Sequence, residues 1–141
     1  MGTFHISCRI ENHRNRAKAV RIPKLLVDTG SEHTWVPAAK LNSIGVKREK
    51  EDVPFVMANG QVVTRSIGFA VLRIGKHFTI DEVVFAEAGD LALLGARTLE
   101  GLNLTVDAAG RKLVAAGPLP AAGSCSGPCP GRAQRGRSRY G

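Results

Sequence analysis

Residues 25–31 read Leu-Leu-Val-Asp-Thr-Gly-Ser. An ionisable side chain, Asp28, ends an apolar run and is followed at once by a glycine flanked by two hydroxyls. Moving a carboxylate toward a core is costly unless a partner or a reaction uses it. Gly30 permits a sharp turn and a close backbone approach. Thr29 and Ser31 each supply a hydroxyl able to hydrogen-bond a carboxylate. The plainer reading of the same tripeptide is an Asx-type turn that closes a strand.

Other reactive side chains form weaker patterns. His5, Cys8 and His13 lie close together, but their spacing matches no standard zinc pattern. Strand alternation also sends His5 and Cys8 to opposite faces, so no metal site is expected. No cofactor is expected either. Cys125 and Cys129 sit in a segment rich in Gly and Pro and read as two idle thiols. Three cysteines in all are too few and too scattered for a disulfide framework, which fits a reducing, cytoplasmic compartment.

The elements that must hold Asp28 read mostly as strands. Residues 3–11 alternate and are rich in β-formers, 13–18 form a polar, basic connector, and 22–28 are an apolar run short enough for a buried strand. Residues 53–57 and 61–66 flank Ala58-Asn59-Gly60, a strong hairpin signal because Asn and Gly both accept positive φ. Residues 69–74 and 78–85, around Gly75-Lys76, predict a second hairpin. Residues 102–106 and 112–114 flank a turn at 107–110. Residues 47–52 mix both charges and read as an exposed loop. Two short helices are predicted: 37–44, with Pro at its start and Gly45 beyond its end, and 96–100, ending at Gly101. Many short strands joined by Gly turns point to an all-β barrel or sandwich.

The chain of 141 residues has room for one domain. Residues 115–141 contain six Gly and four Pro, with Leu119 and Tyr140 as the sole large apolar side chains. Such a segment cannot repay the entropy of ordering, so a domain over 1–114 followed by a disordered tail over 115–141 is expected. The net charge is +8, but four tail arginines account for half of it; residues 1–114 hold 16 cations against 12 acids, +4. That excess does not call for a nucleic-acid partner, and none is expected. No run approaches the roughly 18 apolar residues of a membrane span. The first residues lack the basic and apolar regions of a secretion signal.

The context of Asp28 carries a resemblance. Asp28-Thr29-Gly30-Ser31, followed by Glu32-His33-Thr34-Trp35-Val36-Pro37, resembles the active-site segment of aspartic proteases. Leu91-Ala92-Leu93-Leu94-Gly95, leading into 96–100, resembles the second hallmark of the single-lobe, retropepsin-like members, an apolar strand ending in Gly before a short helix. Gly95 follows Asp28 by 67 residues, a separation that suits one such lobe. The Asn59-Gly60 hairpin takes the place of the family's flap. The resemblance spans about residues 3–114. It implies an all-β, retropepsin-like closed barrel or sandwich lobe with a flap hairpin and one or two short helices.

The resemblance also implies a function. Family members hydrolyse peptide bonds with two carboxylates: one ionised Asp takes a proton from a water while a protonated partner polarises the scissile carbonyl. This chain has one Asp-Thr-Gly, so the second carboxylate is expected from a second copy in a twofold homodimer. Carboxylates about 3 Å apart cannot both ionise cheaply, and the aspartic proteases are the known instance of the resulting split in pKa, which belongs to the pair. Asp28 is then catalytic, Thr29 and Gly30 shape the loop, with Thr29 bonding across the dimer axis, and Ser31 donates to the Asp28 carboxylate and favours an acidic optimum. Ala58, Asn59, Gly60 and Gln61 cover a polypeptide substrate, with Val56, Val62 and Ile67 lining apolar pockets. Arg97 comes one residue later than the arginine of many retroviral members, and Glu32 is its candidate partner. The flap has no Tyr to bond Trp35, which reads as a core or pocket aromatic.

Two other functions stay open on sequence grounds. The same fold can hold an extended peptide without cutting it. An RNA-associated role through the arginine tail predicts salt-sensitive binding that vanishes with residues 115–141.

Overall fold

The computed structural model describes residues 4–121. Its elements are β1 (His5–Asn12), β2 (Asn15–Val27), β3 (Thr34–Pro37), α1 (Ala38–Ser43), β4 (Lys50–Val56), β5 (Val62–Ile74), β6 (His77–Ala86), β7 (Leu93–Leu94), α2 (Ala96–Leu102), β8 (Leu104–Asp107) and β9 (Lys112–Ala115). The order β1-β2-β7-β3-β6-β5-β4, with a further β1–β5 pairing, closes a ring of strands from which β4 extends as an outer member. β8 and β9 form a separate two-stranded ribbon. This is the all-β, retropepsin-like lobe with two short helices. No helix among the described residues is long and apolar enough to cross a membrane.

Alternation builds the interior. Cys8 and Ile10 of β1, Leu25 and Val27 of β2, Ala70 and Leu72 of β5, and Val83 and Phe85 of β6 meet Leu94, Leu99 and Leu102 in one buried cluster. Burial pushes the Cys8 thiol up to about 12, so Cys8 behaves as a small core side chain. A second, smaller cluster of Trp35, Ile67, Val84, Ala86 and Leu93 lies under β4, with Phe55 and Met57 packed against it.

Several local expectations change. The basic connector 13–18 is mostly strand: only His13 and Arg14 turn the chain, the Asn12 side chain accepting from the Arg14 and Asn15 amides at 2.8 and 3.2 Å. Cations are tolerated there because β2 from Asn15 to Leu25 pairs on one side only, and charged side chains suit an exposed edge. The expected strands 61–66 and 69–74 are one continuous β5. β4 begins at Lys50, inside the expected loop, and Asp52 takes φ 56° where the β4–β5 register shifts. α2 runs past Gly101 and stops at Asn103, whose φ of 56° is the left-handed cap that Asn tolerates. In the 58–60 turn only Gly60 has positive φ, 86°. Met57 N–H donates to Gln61 O and Gly60 N–H to Met57 O, both at 2.8 Å. That is a three-residue loop ending in a left-handed glycine, not the two-residue mirror turn in which both Asn and Gly invert.

β9 reaches Ala115, Ala116 N–H donates to Asn103 O at 3.0 Å, and the Asn103 side chain donates to Gly117 O at 2.9 Å. Hydrogen-bonded structure thus continues three residues past the expected boundary at 114. Cys125, Cys129 and the tail arginines lie outside the described residues.

Candidate active site

Asp28 stands at the end of β2, half-buried, with Thr29 and Gly30 exposed beside it. Two segments hold it. β2 and β7 pair in parallel through Leu26–Leu93 and Val27–Leu94, and Asp28 N–H donates to Leu94 O at 3.0 Å. Further on, Ala96 N–H donates to Ser31 O at 2.8 Å and Arg97 N–H to Glu32 O at 3.0 Å. The Asp28 loop and the second apolar hallmark are therefore zipped together backbone to backbone. Gly95 makes the contact possible: a Cβ there would meet the carbonyl oxygens of His33 and Glu32.

A buried hydroxyl relay fixes the junction. Gly95 N–H donates to Thr34 Oγ1 at 2.9 Å, Thr34 and Thr98 hydroxyls are 2.6 Å apart, and Thr98 Oγ1 donates to Asp81 Oδ2 at 3.0 Å. Because Thr98 gives its proton to the carboxylate, Thr34 must give its own to Thr98. Every donor in the chain is then satisfied, as buried hydroxyls require.

The Asp28 carboxylate accepts from Gly30 N–H at 3.0 Å. The expected Ser31 bond is absent: the Ser31 hydroxyl donates instead to His33 O at 3.0 Å, because the loop brings that carbonyl back over it. Arg97 does not reach the Glu32 carboxylate. Its guanidinium points across α2 to Glu82 at 3.4 Å, Asp81 at 3.9 Å and His33 Nε2 at 3.3 Å, and Glu32 offers Arg97 its backbone carbonyl alone. Glu82 also takes Lys50 of β4 at 2.6 Å and His33 at 3.1 Å. The Lys50 ammonium first, and His33 after it, hold the Glu82 carboxyl below its ordinary value.

A groove of about 510 Å³ opens in front of Asp28. Its floor is Asp28, Gly30–His33, Trp35 and Leu93; Phe55–Ala58 of the β4–β5 hairpin cover it, and Gly89–Leu91 form the opposite rim. Phe55 meets Trp35 edge-on with centroids 5.1 Å apart, and His33 at 5.6 Å, so the hairpin's aromatic anchor packs on the floor without a hydroxyl. Of the expected covering residues, Ala58 lines the groove; Asn59, Gly60 and Gln61 form the exposed tip beyond it. Val56 lines it as expected. Val62 points to solvent at 60% exposure, and Ile67 is buried beneath Trp35. Within the second hallmark only Leu93 and Leu94 are strand, and Leu91, 66% exposed, sits on the rim.

The rim is anchored by residues that sequence reading did not single out. Arg65 of β5 grips Asp90 with two bonds, 2.7 and 2.9 Å, and both side chains are largely buried. The bond from Arg65 holds the Asp90 carboxyl below its ordinary value, aided by the Glu87 amide. Arg73 and Arg9 do the same for Glu11. Their 25-residue separation leaves no local signal for the Arg65–Asp90 pair. Lowered carboxyl values set an acid limit: the unfolded chain takes up protons near pH 4, the folded form only below that. Stability is therefore full above about pH 4 and is lost as pH falls through the folded values of Asp90, Glu82 and Glu11. The melting temperature is expected to be flat from neutral pH down to about 4 and to drop below it. Asp90→Asn should melt lower at pH 7 and fall less steeply in acid; a curve parallel to wild type throughout contradicts the clamp.

No curated protein matches the chain. A family model described as "gag-polyprotein putative aspartyl protease" matches residues 10–101, a span that holds the Asp28 loop, the covering hairpin, the second hallmark and all but the last residue of α2. The chain belongs to the gag-polyprotein aspartyl protease family.

Proposed function

We propose that the protein is an aspartic endopeptidase that works as a homodimer, within one protease domain that the remaining C-terminal residues follow. The observation that carries this reading is the single Asp28, aimed into a groove under a β-hairpin from a loop whose residues Thr29 and Gly30 are exposed, with no neighbour among the described residues to cover them. One carboxylate cannot both activate water and donate a proton to the carbonyl. A twofold partner docked on Thr29 and Gly30 supplies the second Asp28.

The chemistry then balances without a covalent intermediate. The ionised Asp28 removes a proton from a water whose oxygen attacks the peptide carbonyl carbon. The protonated Asp28 of the other chain hydrogen-bonds the carbonyl oxygen as it gains charge. The C–N bond breaks as the nitrogen takes a proton from the dyad. The hairpin edge around Ala58–Gln61 pairs with an extended polypeptide, and Trp35, Phe55, Val56 and Leu91 offer it apolar surface.

Dilution tests the assembly. Cleavage of an unfolded polypeptide at mildly acidic pH should lose specific activity as the chain is diluted below its dimer dissociation constant, in step with the mass measured by sedimentation. Full activity in a monomer contradicts the shared dyad. A dimer that binds peptide and yields no product favours the binding module.

A further inference from the structure

Arg21, Arg9, Arg73 and Phe78 stand side by side across four strands. Arg21 of β2 is opposite Arg9 of β1, Arg9 is opposite Arg73 of β5, and Arg73 is opposite Phe78 of β6. Directly opposed residues share a sheet face, and at about 4.8 Å per strand the row is about 14 Å long. Their neighbours along the strands, Cys8, Ile10, Ile22 and Leu72, are buried, so the row lies on the face turned away from the main core. Phe78 is 47% exposed there and Ile80 54%. The guanidinium of Arg73 lies 4.7 Å from the Phe78 ring centroid and that of Arg16 lies 5.4 Å from it.

The row is held in place rather than merely crowded. Glu11, 4% exposed, accepts from Arg9 Nε at 2.8 Å and Arg73 Nε at 3.0 Å. Arg21 is tied to the Ser7 hydroxyl at 2.9 Å. Glu11 offsets one charge and leaves the set cationic. Residues 12–27, which include Arg16 and Arg21, contain no acid. The patch lies beside the Gly75-Lys76 turn, at the opposite end of β5 from the hairpin that covers Asp28, so peptide cleavage does not account for it.

We infer that this face binds single-stranded nucleic acid. Arg16, Arg21 and the outer nitrogens of Arg9 pair with phosphates, and a base stacks on Phe78 or on the guanidinium planes beside it. Arginines around an exposed ring distinguish this ligand from an acidic peptide, whose carboxylates have no use for a stacking surface. Its net positive charge also opposes pairing with a second copy. The four members of the row are scattered over positions 9, 21, 73 and 78, so only the strand register reveals them.

The test is fluorescence anisotropy of a labelled oligouridylate of about 15 nucleotides with the full chain over a range of salt. Arg16→Gln/Arg21→Gln should lower the slope of log affinity against log salt by about 1.4, two phosphates at about 0.7 each. Phe78→Ala should weaken binding about tenfold with little change in slope, and Phe78→Tyr should restore it. Lys40→Gln/Lys112→Gln removes the same charge elsewhere and should leave both readouts at wild-type values. The inference is overturned if the two double variants behave alike, since net charge or the C-terminal arginines then do the binding. It is also overturned if Phe78→Ala binds as wild type while polyglutamate competes freely, or if no binding occurs at about 50 mM salt.

Discussion

Asp28→Asn is expected to lower cleavage of an unfolded polypeptide by about 10²- to 10⁴-fold, the contribution typical of a positioned acid–base group. The fold should survive. Asn keeps the side-chain oxygen that accepts the Gly30 amide, and the Asp28 N–H to Leu94 O bond is untouched. What is lost is the ability to take a proton from water. Mixing separates a shared site from a self-sufficient one. When equal amounts of wild-type and Asp28→Asn chains are refolded together, random pairing leaves about one quarter of the dimers with two carboxylates. Activity should fall to about one quarter of an equal mass of wild type if both carboxylates are needed, and to about one half if each chain acts alone. A value of one half contradicts the dyad, and undiminished cleavage by the pure variant contradicts any role for Asp28.

The acid limit bears on the same chemistry. A two-carboxylate site needs one proton in the pair, which favours working below neutrality. The proposed dyad therefore requires a protein that remains folded there. Arg65–Asp90, Lys50–Glu82 and the Arg9–Glu11–Arg73 triad stay ionised into the acid range because each carboxyl is held low by a cation. One of these pairs lines the groove and another braces it: Asp90 lies in its rim, and Glu82 bonds His33 in its floor. Protonating them loosens both walls together. The loss of activity and the loss of stability in strong acid are thus expected to run in parallel.

The parts of this arrangement that were legible in the sequence are those written in consecutive residues. The Asp-Thr-Gly-Ser turn, the hairpin around Asn59-Gly60 and the Leu-Leu-Gly segment carry their signals within a few positions, because turns and short buried strands are locally encoded. β2 was half-hidden, since an edge strand tolerates the cations that look like a connector. β3 escaped because four residues between a catalytic-type loop and a helix show no alternation. The Ser31 hydroxyl and the Arg97 guanidinium went to other partners for a common reason. Both choices depend on where a distant backbone lies, His33 O in one case and β6 in the other. The Thr34–Thr98 relay and the Arg65–Asp90 clamp join residues 64 and 25 apart, and nothing in either neighbourhood announces the other.

Gly95→Ala is expected to be among the most damaging single-methyl changes at the described glycines. Its φ of −94° suits any residue, so backbone strain plays no part. The cause is contact: the added carbon would press on the carbonyl oxygens of Glu32 and His33. These are backbone atoms of the loop that carries Asp28, and they cannot swing aside as a side-chain tip does. Relief requires parting the Asp28 loop from the second hallmark. That breaks the Ala96–Ser31 and Arg97–Glu32 bonds and pulls Gly95 from Thr34. Overpacking of this kind costs typically 1–3 kcal/mol and more where backbone must move, so a loss above about 3 kcal/mol is expected, against a total of roughly 5–15 kcal/mol for a domain. Gly60→Ala is the matched control. It has open space around it but φ of 86°, and should cost about 1 kcal/mol. Thermal unfolding decides between steric and conformational cost: Gly95→Ala should melt at least 10 °C lower, by about 4 °C per kcal/mol, and Gly60→Ala only slightly lower. Equal shifts in the two variants would mean that the two loops are not in the close backbone contact that positions Asp28.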